Sequence, residues 1–147
     1  MLTREMAFKI TLLVLLAALI VIIAMHLSRE APAAIVKGRS MLPLLREGDI
    51  VFIVACKPNE IGVGDIVVFR SNYGNRLVIH RVIGVVYENG KYYYITKGDN
   101  NVIPDYSEFD YGIGVNQARV IGKVFSINDY ILKIPYIGNL ALVFRGD

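Results

Sequence analysis

The chain changes pattern at about residue 28. Ile10 to Leu27 reads ITLLVLLAALIVIIAMHL and is apolar apart from Thr11 and His26. As a helix rising 1.5 Å per residue it extends about 27 Å, enough to cross a bilayer core with little tilt. Beyond a short linker, Ser28 to Val36, the pattern becomes short β-branched runs separated by Gly, Asn, Asp and Pro, which predicts strands joined by turns. Glu47-Gly48-Asp49-Ile50-Val51-Phe52 is echoed by Val63-Gly64-Asp65-Ile66-Val67-Val68-Phe69, so one turn solution opens two strands, and Asp49 and Asp65 are turn residues. Leu77–Tyr87, Asn89-Gly90 and Lys91–Thr96 predict a hairpin, because Asn-Gly favours the turn that matches strand twist. The turn-rich Lys97-Gly98-Asp99-Asn100-Asn101 leads into a polar surface loop reaching Asp110, and Arg119–Ser126 reads as a further strand. No helix is expected beyond the N-terminal one. The fold class is mainly β behind a single transmembrane helix.

The apolar run admits two readings. Ala31-Pro32-Ala33 has the small residues of a signal-peptide cleavage site, but the run exceeds the roughly 15 residues usual for such a segment, which favours an uncleaved anchor. Residues 1–27 then form a cytoplasmic N-terminus and anchor, and 28–147 an extracytoplasmic β-rich domain, giving a single-pass membrane protein. His26 closes the run where an amphipathic ring suits the membrane interface. The apolar stretch Ile131–Phe144 is interrupted by Pro135 and Gly138, too short to span but able to lie against lipid.

Across 147 residues the formal net charge is +3, with acidic residues mixed throughout and no basic run interleaved with aromatics, which argues against a nucleic-acid partner. Cys56 is the single cysteine, so an intramolecular disulfide and a cysteine-based zinc site are excluded. Its setting suits a buried small hydrophobe better than a nucleophile. No metal or other cofactor is implied.

The candidate chemistry starts at Gly38-Arg39-Ser40-Met41-Leu42-Pro43. Pro43 biases its neighbour towards extended geometry, so an extended segment is expected, able to hold one hydroxyl rigidly. A serine nucleophile needs a base within hydrogen-bond reach and gains from a carboxylate that orients that base. His80, inside the apolar strand Leu77–Ile83, is the base candidate, with Arg81 pointing to the opposite face. Asp99 and Asp105 are the carboxylate candidates. Each also has a bland role, as a core histidine or a turn aspartate.

Ser40-Met41-Leu42-Pro43, Gly48-Asp49, Gly64-Asp65-Ile66-Val67-Val68-Phe69, His80-Arg81-Val82 and Lys97-Gly98-Asp99-Asn100-Asn101 stand in an order that resembles type I signal peptidases. The resemblance is to the archaeal and endoplasmic-reticulum branch, in which histidine replaces the lysine base of most bacterial members. Pro135-Tyr136-Ile137-Gly138 is similar to that branch too. The resemblance implies a membrane-bound serine endopeptidase that removes signal peptides from exported preproteins. It implies Ser40 as nucleophile, His80 as general base, Asp105 as orienter ahead of Asp99, and the Ser40 N–H as oxyanion donor. It places Met41, Leu42 and Pro43 at the substrate. Gly38 stands where some bacterial members carry a serine hydroxyl that completes the oxyanion hole. Partners would be preprotein signal peptides, the lipid bilayer and accessory membrane subunits. With an imidazole base, whose ordinary pKa is about 6.5, activity should fall on the acid side; a lysine base such as Lys97 or Lys37 would place the rise far above neutrality. Two rivals remain: a self-cleaving repressor of the SOS type, and a catalytically silent membrane-anchored β module that binds partners.

Overall fold

Helix α1 covers Arg4–Leu27, and its composition leaves it no polar face to present. It is the single helix long and apolar enough to cross a membrane among the residues described by this computed structural model: 4–27, 33–128 and 130–135. The side chain of His26, most of Ala31-Pro32-Ala33 and the apolar stretch beyond Pro135 lie outside them. The chain separates into two compact units, residues 1–32 and 33–147.

The second unit is β-rich. Its strands are β1 (Ala33–Ile35), β2 (Ile50–Val54), β3 (Ile66–Arg70), β4 (Leu77–Glu88), β5 (Lys91–Lys97), β6 (Val115–Asn116), β7 (Val120–Val124), β8 (Ser126–Ile127), β9 (Tyr130–Ile131) and β10 (Lys133–Ile134). Seven run in the spatial order β1-β2-β7-β3-β4-β5-β6, with β10 also paired to β2 at Ile50 and Val51, and β8 paired with β9. Every pairing is antiparallel. Beyond α1, the described helical structure is limited to three short 3-10 turns.

β3 explains why two cores form. Successive side chains of a strand point to opposite faces. Ile66 and Val68 join one cluster, with Val36, Met41, Leu45, Val51, Ile121 and Val124. Val67 and Phe69 join the other, with Ile61, Val82, Tyr94 and Val115. A strand covered on both faces reads as the continuous apolar run seen in its sequence. Each fully buried side chain of this size contributes about 1.5–3 kcal/mol.

The turn chemistry follows the pattern of the sequence closely. In Arg46–Asp49 and Gly62–Asp65 alike, the aspartate Oδ2 accepts from the amide three residues earlier, at 3.0 and 2.8 Å. The glycine before each aspartate has positive φ, 87° at Gly48 and 101° at Gly64, which L side chains resist. The hairpin turns at Asn89 and Gly90 with φ of 50° and 77°, as a type I′ turn requires. Two expectations are corrected. Residues 40–44 form a turn rather than an extended segment: the Leu45 amide donates to the Met41 carbonyl at 2.9 Å because both side chains are drawn into the first core. The loop running to Asp110 is also not wholly a surface loop. Glu108 is buried within it, accepting from Ser71 Oγ at 2.6 Å and from Arg119 Nη2 at 2.8 Å.

Candidate active site

The turn carrying Ser40 is held from several sides. Met41 and Leu45 root it in the first core, and the Lys133 ammonium donates to the Leu44 carbonyl and to Asp49 Oδ2, both at 2.7 Å. Gly38 has φ of +84°. A serine hydroxyl at this position would need a strained backbone, so the glycine is a requirement of the bend.

β4 supplies the ring. His80 shares its face with Val78 and Val82, whose side chains pack into the second core. That face holds His80 buried, at 9% exposure. Ser40 Oγ stands 2.9 Å from His80 Nε2, and His80 Nδ1 stands 2.6 Å from Asp105 Oδ2. With an ionised carboxylate, which only accepts, and a neutral ring, Nδ1 is the donor and Nε2 turns a lone pair to the Ser40 hydroxyl. One alcohol, one imidazole and one carboxylate are thereby linked in the chain order Ser, His, Asp.

Asp99 is not on the ring. Its two oxygens accept from Arg81 Nε and Nη2, both at 2.7 Å, while Arg81 Nη1 donates to the Gly64 carbonyl at 2.8 Å. Arg81 follows His80 in the strand and so faces the other way. Lys97 pairs with Arg81 across the strands and shares that face, away from Ser40 Oγ.

The turn carrying Asp99 also grips the backbone at Ser40. The Asn100 amide donates to the Ser40 carbonyl at 2.7 Å, and Asn100 Nδ2 to the Arg39 carbonyl at 3.2 Å. Gly98 lies so close beneath that a Cβ there would stand 2.7 Å from the Ser40 carbonyl oxygen, which only glycine avoids. These contacts, and the Thr96 hydroxyl donating to Asp105 Oδ2 at 2.8 Å, were missed by sequence reasoning. Thr96 read as the end of a hairpin strand and Lys97-Gly98-Asp99-Asn100-Asn101 as a turn and a family motif, and neither reading signals these contacts.

Met41, expected at the substrate, is instead a core residue with 2% exposure. Its side chain takes the inward side of the turn, leaving Leu42 half-buried and Pro43 exposed next to Ser40. A cleft of about 410 Å³ is lined by residues including Leu44, Gly64, Ile66, Arg81 and Ile131, and by none of Ser40, His80 or Asp105. Among the described residues no group of three His, Cys, Asp or Glu gathers to hold a metal ion.

Residues 5–90 match the family described as "Signal peptidase, peptidase S26". The chain belongs to this signal peptidase family. It is 30% identical over 118 residues to the "Signal peptidase complex catalytic subunit SEC11C" of Homo sapiens, covering 79% of this chain and 58% of that protein. It is 31% identical over 112 residues to the "Signal peptidase complex catalytic subunit SEC11" of Scheffersomyces stipitis, covering 74% and 64%. The chain thus spans less than two thirds of the length of these family members.

Proposed function

We propose that this protein is a membrane-bound serine endopeptidase that cleaves N-terminal signal peptides from exported preproteins. The observation that carries the reading is the hydrogen-bonded line from the Ser40 hydroxyl through His80 to Asp105. In this mechanism His80 Nε2 takes the Ser40 proton as Oγ attacks the scissile carbonyl. Asp105 holds the ring in the required tautomer and stabilises the imidazolium that forms. The Ser40 N–H faces the developing oxyanion. His80 then protonates the leaving amine, which departs as the new N-terminus of the mature protein. Water, deprotonated by the same ring, hydrolyses the acyl-enzyme and restores Ser40.

Leu42 and Pro43 border the substrate in this reading. The helix Arg4–Leu27 anchors the protein with its N-terminus in the cytoplasm and residues 28–147 on the extracytoplasmic face. It restricts enzyme and preprotein to one thin layer, which raises their effective concentration. The relatives' names, as catalytic subunits of a complex, support accessory membrane subunits as partners.

The test is cleavage of a preprotein by the full chain in lipid vesicles. Ser40→Ala and His80→Ala are each expected to lower the rate by at least about 10³-fold while the thermal midpoint holds. Undiminished cleavage by either variant would refute the assignment, and no cleavage by the unaltered chain would favour an inert binding module.

A further inference from the structure

We infer that Thr96 is a positioning residue for the catalytic carboxylate, an inference that rests on the peptidase reading above. Asp105 lies beyond the end of β5, in a loop whose backbone must be aimed before its side chain can serve His80. Thr96 aims it from two sides. The Asp105 amide donates to the Thr96 carbonyl at 2.9 Å, and the Thr96 hydroxyl donates to Asp105 Oδ2 at 2.8 Å. The same oxygen accepts from His80 Nδ1 at 2.6 Å. With the main chain pinned and Oδ2 holding two donors that converge from different directions, rotation of the carboxylate about χ2 breaks at least one bond.

The sheet register brings Thr96 to this place. Thr96 pairs with Val82 across β4 and β5, so it is the diagonal neighbour of His80 on the same face. It is fully buried, at 0% exposure, at the end of a face that Tyr94 fills with aromatic bulk. A buried hydroxyl in an apolar face is costly unless bonded, and here its bond goes to the one carboxylate that touches the ring. A threonine kept only for packing would be replaced by isosteric valine without consequence. The geometry gives the hydroxyl a task that valine cannot perform.

The experiment compares full-length Thr96→Val and Thr96→Ser with the unaltered chain in vesicles, alongside Ser40→Ala. Valine keeps the shape and removes the donor; serine keeps the donor. Thr96→Val is expected to lose about 10- to 100-fold in kcat with KM little changed, the range set by a hydrogen bond to a charged group. Thr96→Ser is expected to retain most of kcat. The ring Nδ1 proton of His80, bonded to Asp105, supplies a second readout by ¹⁵N-histidine NMR: its low-field resonance is expected in the unaltered chain and Thr96→Ser, and broadened or lost in folded Thr96→Val. Wild-type kcat in Thr96→Val, equal losses in both variants, or an undisturbed Nδ1 resonance in Thr96→Val would each overturn the inference. If Thr96→Val proves too unstable, Thr96→Ala set against Thr96→Ser asks the same question. Full cleavage by Ser40→Ala would mean that the peptidase reading itself had failed; an inactive Ser40→Ala beside a fully active Thr96→Val defeats only the role of Thr96.

Discussion

Two carboxylates six residues apart in one loop meet two neighbouring side chains of one strand, with very different results. Asp99 meets Arg81 through two parallel hydrogen bonds of 2.7 Å, with side-chain exposures of 19% and 31%. Asp105 meets His80 through one bond of 2.6 Å, with exposures of 9% and 11%. A guanidinium is always charged and its planar fork satisfies a carboxylate from one side, so the Asp99 pair is a static clasp between strand and loop. An imidazole can gain and lose a proton near neutrality, and its second nitrogen is turned to an alcohol. The acid is the same in both pairs. The partner's chemistry and the burial set the difference, and strand alternation hands the two acids to opposite faces.

That contrast can be tested. The largest effect is expected from Asp105→Asn, which removes the negative charge and replaces one acceptor oxygen with an NH2 donor, so that Nδ1 is no longer held as the donor, and should slow preprotein cleavage by about 10³- to 10⁴-fold. Asp99→Asn should slow it far less. Its loss should instead appear in unfolding by denaturant, on the order of 1 kcal/mol, because the pair is partly exposed and water screens it. Equal kinetic losses in the two variants would abolish the distinction drawn here.

Next in size is the dependence on pH. A protonated imidazole donates from both nitrogens and cannot take the Ser40 proton. The cleavage rate should therefore fall about tenfold per pH unit on the acid side. A rate that rises only in strongly alkaline solution would point to a lysine base and away from His80.

The smallest effect concerns Cys56, the remaining candidate nucleophile. Burial pushes its thiol above the ordinary value, with Lys123 pulling weakly the other way, so the reactive thiolate is scarce at neutral pH. Iodoacetamide should alkylate Cys56 more slowly in the folded chain than in denaturant, and Cys56→Ser should cleave as the unaltered chain does. A loss of cleavage there would reopen the question of which side chain attacks.

Local patterns were enough to reveal the apolar helix, the Asn89-Gly90 hairpin and the paired Gly-Asp turns. Each depends on residues within a few positions of one another: a run long enough for a bilayer, two backbone sites that favour positive φ, an aspartate that folds back on its own turn. Motif order reached further and indicated Ser40, His80 and two aspartates as a set. It ranked Asp105 ahead of Asp99 as the orienter of His80 but gave Asp99 no partner, because both follow the same strand in the same polar loop. Met41 was misplaced for a similar reason. A methionine beside a candidate nucleophile reads alike whether it turns inward or outward, and only the packing of the turn against Val51 and Val68 chose inward.

Composition and local pattern dictate where the chain is apolar enough to enter a membrane, where it turns, and which few side chains can do acid–base chemistry at all. Which of them touch is a matter of packing. The Ser40 turn is rooted in one core and His80 rises from the face of the other, 40 residues further along the chain. Their meeting depends on β3 having both faces covered, on the β4–β5 register that sets Thr96 diagonal to the ring, and on Gly98 letting one backbone press against another. These are distances between segments remote in sequence. They arise from packing and strand register, and no periodicity along the chain encodes them.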